Sequence, residues 1–145
     1  MFSATASPFG RAPSHASAYR NMAAETGVAA ATPHRLVAML YEGFLDALTE
    51  ARGALRSGDL ARKGAAIGRA VRIVEEGLRA GLNREAGGQL AADLDRLYSY
   101  VAKRLTQAHA RNDEALLDEC RRLLQPLAEA WAAIEPAAGA ARRAA

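Results

Sequence analysis

Three histidines, one cysteine and sixteen carboxylates are the side chains that could do acid–base, nucleophilic or metal chemistry in this chain. A carboxylate-bridged di-metal bundle needs inward glutamates and Glu-x-x-His pairs. None of His15, His34 and His109 has a glutamate three residues before it. There is no His-Glu-x-x-His, no glycine-rich phosphate loop and no Gly-x-Ser-x-Gly elbow. Histidine phosphotransfer needs an exposed mid-helix imidazole with basic neighbours. His34 lies beside Arg35 in a first turn, and His109 lies near a helix end before Arg111. A surface position is the simpler reading of each, and a phosphotransfer bundle is the alternative function. Cys120 shares an apolar face with Leu116, Leu117, Leu123 and Leu124, which reads as a buried structural thiol. One thiol makes neither an internal disulfide nor a metal site. The sequence therefore points to no enzyme, cofactor or metal.

The net charge is +3, with Lys63 and Lys103 the only lysines. Arg69, Arg72 and Arg79 stand near helical spacing, the kind of row that binds nucleic acid. Glu75 and Glu76 interrupt it, so a salt-bridged solvent face is expected instead. No stretch has the continuous apolar core of a signal peptide or the length of a membrane span. A cytoplasmic location is the expectation.

The elements that must position these residues are helices. The chain has 145 residues, enough for one self-sufficient core. Alanine fills about a quarter of it, and alternating β-branched runs are absent. Residues 1–17, rich in Ser, Ala, Pro and Gly, read as a flexible arm, and a short helix is expected over 19–25. Thr32 caps and Pro33 opens a helix over 33–56, with Leu36, Val37, Leu40, Tyr41, Phe44, Leu45, Leu48 and Leu55 on its stripe. Ser57-Gly58 stops it and Asp59 caps the next, over 60–82, where Ile67, Val71, Val74, Leu78 and Leu82 face inward. Gly64, Gly68, Gly77 and Gly81 weaken that helix and could admit a neighbouring backbone. Residues 83–88 form a loop. A fourth helix over 89–110 carries Leu90, Leu94, Leu97, Tyr98, Val101 and Leu105 at helical spacing. A fifth over 113–134 carries Leu116, Cys120, Leu123, Leu124, Leu127, Trp131 and Ile134. Pro126 should bend it, Pro136 should end it, and residues 136–145 should be a disordered tail. The fold class is all-α: an antiparallel four-helix bundle over 18–135 with an additional short N-terminal helix.

Two of these helices carry a Leu-Tyr pair, Leu40-Tyr41 and Leu97-Tyr98. With Ala18-Tyr19, Thr32-Pro33, Glu42-Gly43, Gly87-Gly88, Leu94-Asp95-Arg96, Arg104-Leu105, Asn112-Asp113 and Trp131, their order and spacing resemble the flagellar export chaperone family, FliS. The resemblance covers roughly residues 18–134. The chain departs from the commoner acidic helix opening, having His34-Arg35 after Pro33, which removes favourable negative charge from that helix start.

The resemblance implies a binding protein without chemistry. It implies a helical bundle that holds the disordered C-terminal segment of flagellin, prevents premature polymerisation and presents the client to a component of the flagellar export gate. Broad apolar stripes suit recognition of an amphipathic helix in a groove. The implied client-binding residues are Tyr19, Leu36, Leu40, Tyr41, Phe44, Leu94, Leu97, Tyr98 and Val101, with Tyr41 and Tyr98 expected at stripe edges. The N-terminal arm, through Phe2, Phe9, Tyr19 and Met22, could cover that groove until a client arrives.

Overall fold

A computed structural model describes the backbone of residues 32–144 and the side chains of residues 32–134. The expected arm and the expected helix over 19–25 lie outside these residues. Among the described residues every element is helical.

Helix α1, Pro33–Ser57, starts where the Thr32 hydroxyl accepts the Arg35 N–H at 3.1 Å, with Pro33 in the first turn. It ends at Gly58, whose φ of 77° suits a residue without a β-carbon. Asp59 then accepts the Arg62 N–H at 3.1 Å and opens α2, Leu60–Arg72. That helix runs on into a π-helical stretch, Ile73–Arg79. Asn83 accepts the Ala86 N–H at 2.9 Å and opens α3, Arg84–Arg111. Asn112, left-handed at φ 51°, turns the chain into α4, Glu114–Ala144.

The short turns make neighbours antiparallel. Helix α1 packs on α2 and α4, and α3 packs on the same two, so α1 and α3 face each other across the diagonal. Phe44, Leu48, Val74, Leu78, Tyr98, Val101, Leu105, Leu117, Cys120 and Leu124 fill the centre.

Three boundaries differ from the sequence expectation. The rod expected over 60–82 changes winding at Ile73, because Ile73-Val74, Gly77-Leu78 and Gly81-Leu82 repeat every four residues. An α-helix turns about 100° per residue, so a period of four drifts by about 40° per repeat. Underwinding keeps all six residues buried. Of the four glycines in this rod, Gly77 makes the close approach: a β-carbon there would lie 2.8 Å from Leu40 Cδ2. The loop expected over 83–88 is a capped helical turn that breaks at Gly88, φ 55° and ψ −131°. Finally, α4 continues through Pro136 to Ala144, where the helix was expected to stop. A proline removes a single ladder bond, and the alanine-rich sequence around it strongly favours helix. Pro126 likewise lies within the one helix.

Candidate functional site

The two Leu-Tyr pairs meet inside the bundle. The Tyr41 and Tyr98 hydroxyls are 2.7 Å apart, and both side chains are buried. Burial pushes the Tyr41 hydroxyl's pKa up, partly offset by its bond to Tyr98. The expectation that these tyrosines stand at stripe edges is therefore corrected: they form a polar bridge across the core. A broad stripe can face two flanking helices and the diagonal one at once, so its breadth is absorbed by the core. Buried hydroxyls then need partners other than water. Leu40, Phe44, Leu94 and Val101 lie in the same core. Leu36 and Leu97 are half-buried, on different edges. Leu36 continues the α1 row of Leu40 and Gly43, which meets Gly77 and Ile73. Tyr19 lies outside the described residues.

Among the described residues, the most exposed apolar surface lies between α3 and α4. Tyr100 donates to Glu119 at 2.6 Å, Arg104 to Glu119 at 2.9 Å, and the Cys120 thiol to the Val101 carbonyl at 3.8 Å. Extending this antiparallel register places Leu90 and Leu97 along the row of Leu123, Leu127 and Ile134. Leu97, Leu123 and Leu127 are half-buried, while Leu90 and Ile134 are 55% and 49% exposed. With Tyr100, they are three of the four exposed large apolar side chains among the described residues; Leu60 is at the opposite end. One end of the seam is closed by polar groups. The Tyr100 hydroxyl and the Arg104 guanidinium hold the Glu119 carboxyl below its ordinary range, and Glu119 in turn raises the Tyr100 hydroxyl. Arg104 also stands 5.4 Å from the Tyr100 ring centre. The sequence placed Leu90, Leu123, Leu127 and Ile134 on inward stripes. Periodicity assigns a face, and it leaves open whether a neighbour extends far enough along the axis to cover it.

Trp131, expected on the inward stripe, lies at the edge of the core and clamps two helices together. Its ring is half-buried, donates to the His34 carbonyl at 2.9 Å and stacks on the His34 ring at 4.5 Å. This fastens α4 to the first turn of α1. The His34 ring nitrogens are shielded from solvent, which corrects its expected surface position. His109 is exposed in the last turn of α3. Neither is an exposed mid-helix imidazole.

Lys63 was missed by the sequence reading. It is the buried charged residue of the described core, 3% exposed, and donates to the His109 carbonyl at 3.0 Å and to the Asn112 side chain. It thereby caps the C-terminus of α3, where a cation also meets the negative end of the helix dipole. The available signal was its place on the buried row with Ile67 and Ala70. Cys120 is buried, and its thiol is pushed up to about 12 by burial. Arg69 pairs with Glu50 at 3.6 Å, and Arg79 with Glu75 at 2.9 Å and Asp95 at 2.7 Å, as a salt-bridged face predicts. No helix of the described residues is long and apolar enough to cross a membrane.

Comparison with known proteins adds to this geometry. The family described as "Flagellar protein FliS" matches residues 15–138. The flagellar secretion chaperone FliS of Salmonella typhimurium is 44% identical over 121 residues, 83% of this chain and 90% of that one. The flagellar secretion chaperone FliSB of Pseudomonas aeruginosa is 43% identical, over 78% of this chain and 89% of its own. The FliS of Bacillus subtilis is 34% identical, over 74% and 78%.

Proposed function

The chain belongs to the FliS family of flagellar proteins, and on that premise we propose that it is a secretion chaperone for flagellin. It binds the disordered C-terminal segment of flagellin in the cytoplasm, keeps it from polymerising and helps deliver it to the flagellar export gate. The observation that carries this reading is the apolar seam between α3 and α4 in a member of this family.

An amphipathic client segment lays its apolar face along Leu90, Leu97, Leu123, Leu127 and Ile134. Their spacings of four and seven residues suit helix-in-groove recognition. Covering each exposed or half-exposed leucine contributes on the order of 1 kcal/mol, part of the value for full burial. Tyr100, Arg104 and Glu119 form a polar rim that fixes where the apolar segment ends. Leu97 is the residue common to this seam and to the set implied by family resemblance. Leu36 offers a second, separate contact, and Tyr19 is assigned to the client by resemblance alone. Leu40, Tyr41, Phe44, Leu94, Tyr98 and Val101 act from within, by packing the core on which α3 and the seam rest.

Titrating the full chain with a flagellin C-terminal peptide in a calorimeter tests the reading. Saturable binding with a negative heat-capacity change is expected, because apolar surface is covered. Absence of binding by both calorimetry and co-elution overturns it.

A further inference from the structure

The rod that follows Asp59 is wound in two ways, and the change falls at Ile73. A π-helix takes about 4.4 residues per turn against about 3.6, so seven residues lag an α-helix by roughly 130°, between one and one and a half residues' rotation. We propose that Ile73–Arg79 is a register joint: it holds one residue more than an α-helical path needs, and the rod can lose that residue without unfolding.

Three observations support this. The Ala80 N–H bonds the Glu75 carbonyl, Gly81 bonds Gly77, and Leu82 bonds Arg79. The span shortens from five to four to three residues, so no single winding is locked in at the end of the rod. The buried pairs fall at 73/74, 77/78 and 81/82; removing one residue between Val74 and Gly77 leaves spacings of three and four, which an α-helix keeps on one face. Gly77 bears on Leu40, where a β-carbon would lie 2.8 Å from Cδ2, so this contact must be kept and the spare residue lies beside it. The residue after Leu40 is Tyr41, bonded to Tyr98, so the joint abuts the buried tyrosine bridge. On the outer side Arg79 is tethered to Asp95 of α3, which also takes Arg84 at 2.7 Å. Glu76 is exposed, which makes it the residue the joint can lose.

The test is deletion of Glu76 in the full chain, with deletion of Ala65, exposed within α2, as the control. In the parent, amides of residues 77–82 are expected to exchange at least ~100-fold faster than those of residues 67–70. Deleting Glu76 should leave a cooperative thermal melt and slow exchange at 77–82 at least ~10-fold, because the segment becomes α-helical. Deleting Ala65 should abolish the cooperative melt, because it rotates every later residue of the rod off its face. Uniform protection along the parent rod, loss of cooperative folding on deleting Glu76, unchanged exchange in that variant, or equal behaviour of the two deletions would each overturn the joint.

Discussion

The Tyr41–Tyr98 bridge makes a quantitative prediction about what holds the bundle's diagonal. The two hydroxyls are 2.7 Å apart in a site that admits no bulk water. Phenylalanine at either position keeps the ring and removes one side of the bond. A buried hydrogen bond contributes about 1 kcal/mol net, and leaving its partner less satisfied raises the cost of a single change to about 1–2 kcal/mol. The double change Tyr41→Phe with Tyr98→Phe removes both polar groups together. It should cost about as much as one single change, giving a coupling near 1 kcal/mol. Urea unfolding followed by circular dichroism reads this directly, with unchanged slopes, and each single variant should melt about 3–5 °C lower. Tyr98→Ala, which empties a fully buried ring site, should cost about 3–5 kcal/mol, at least as much as Leu94→Ala. Additive single and double variants would refute the bridge. A Tyr98→Ala chain as stable as its parent would refute the central placement.

The remaining predictions probe the other buried polar and half-buried groups. Lys63→Met keeps the stem but withdraws the donors from His109 and Asn112, so urea unfolding should show a loss of about 1–3 kcal/mol. Trp131→Ala should cost about 2–3 kcal/mol, less than a fully buried tryptophan, and should speed amide exchange at residues 36–38 as the clamp on α1 is released. The Cys120 thiol is raised from 9.0 to about 12, so its contribution to stability is whole below pH 9 and lost as pH rises through 12. Cys120→Ala should flatten that alkaline decline, and thiol reagents at neutral pH should label the parent only after denaturation.

The helices were legible because their start signals are chemical: Thr32, Asp59 and Asn83 each accept a backbone N–H at the expected start or within the preceding loop. Gly58 and Asn112 supply the left-handed turns. The stripes on α1 and α3 were legible for the same reason, since helical spacing fixes a face. Depth was not. Tyr41 and Tyr98 look like edge residues in one dimension because tyrosine commonly keeps its hydroxyl in water; across the diagonal each hydroxyl finds the other. Leu90 and Ile134 look like core residues and emerge at the surface near the end of the bundle. The π winding was written in the four-residue repeat of Ile73-Val74, Gly77-Leu78 and Gly81-Leu82, but a search tuned to 3.6 absorbs it as an ordinary stripe. Lys63 was passed over because a cation on an apolar row has meaning only once the carbonyl it caps is known.

The central claim is that the client lies along the α3–α4 seam, and its most direct test places charge there. Leu90→Glu with Ile134→Glu alters two exposed side chains, so the fold should melt as the parent does, and Leu60→Glu alters a third at the opposite end. Calorimetric titration with the flagellin C-terminal peptide should show the seam variant binding at least ~10-fold more weakly, a loss of about 1.4 kcal/mol or more, with Leu60→Glu unchanged. Parent-like affinity in the seam variant, or an equal loss in Leu60→Glu, would contradict the account.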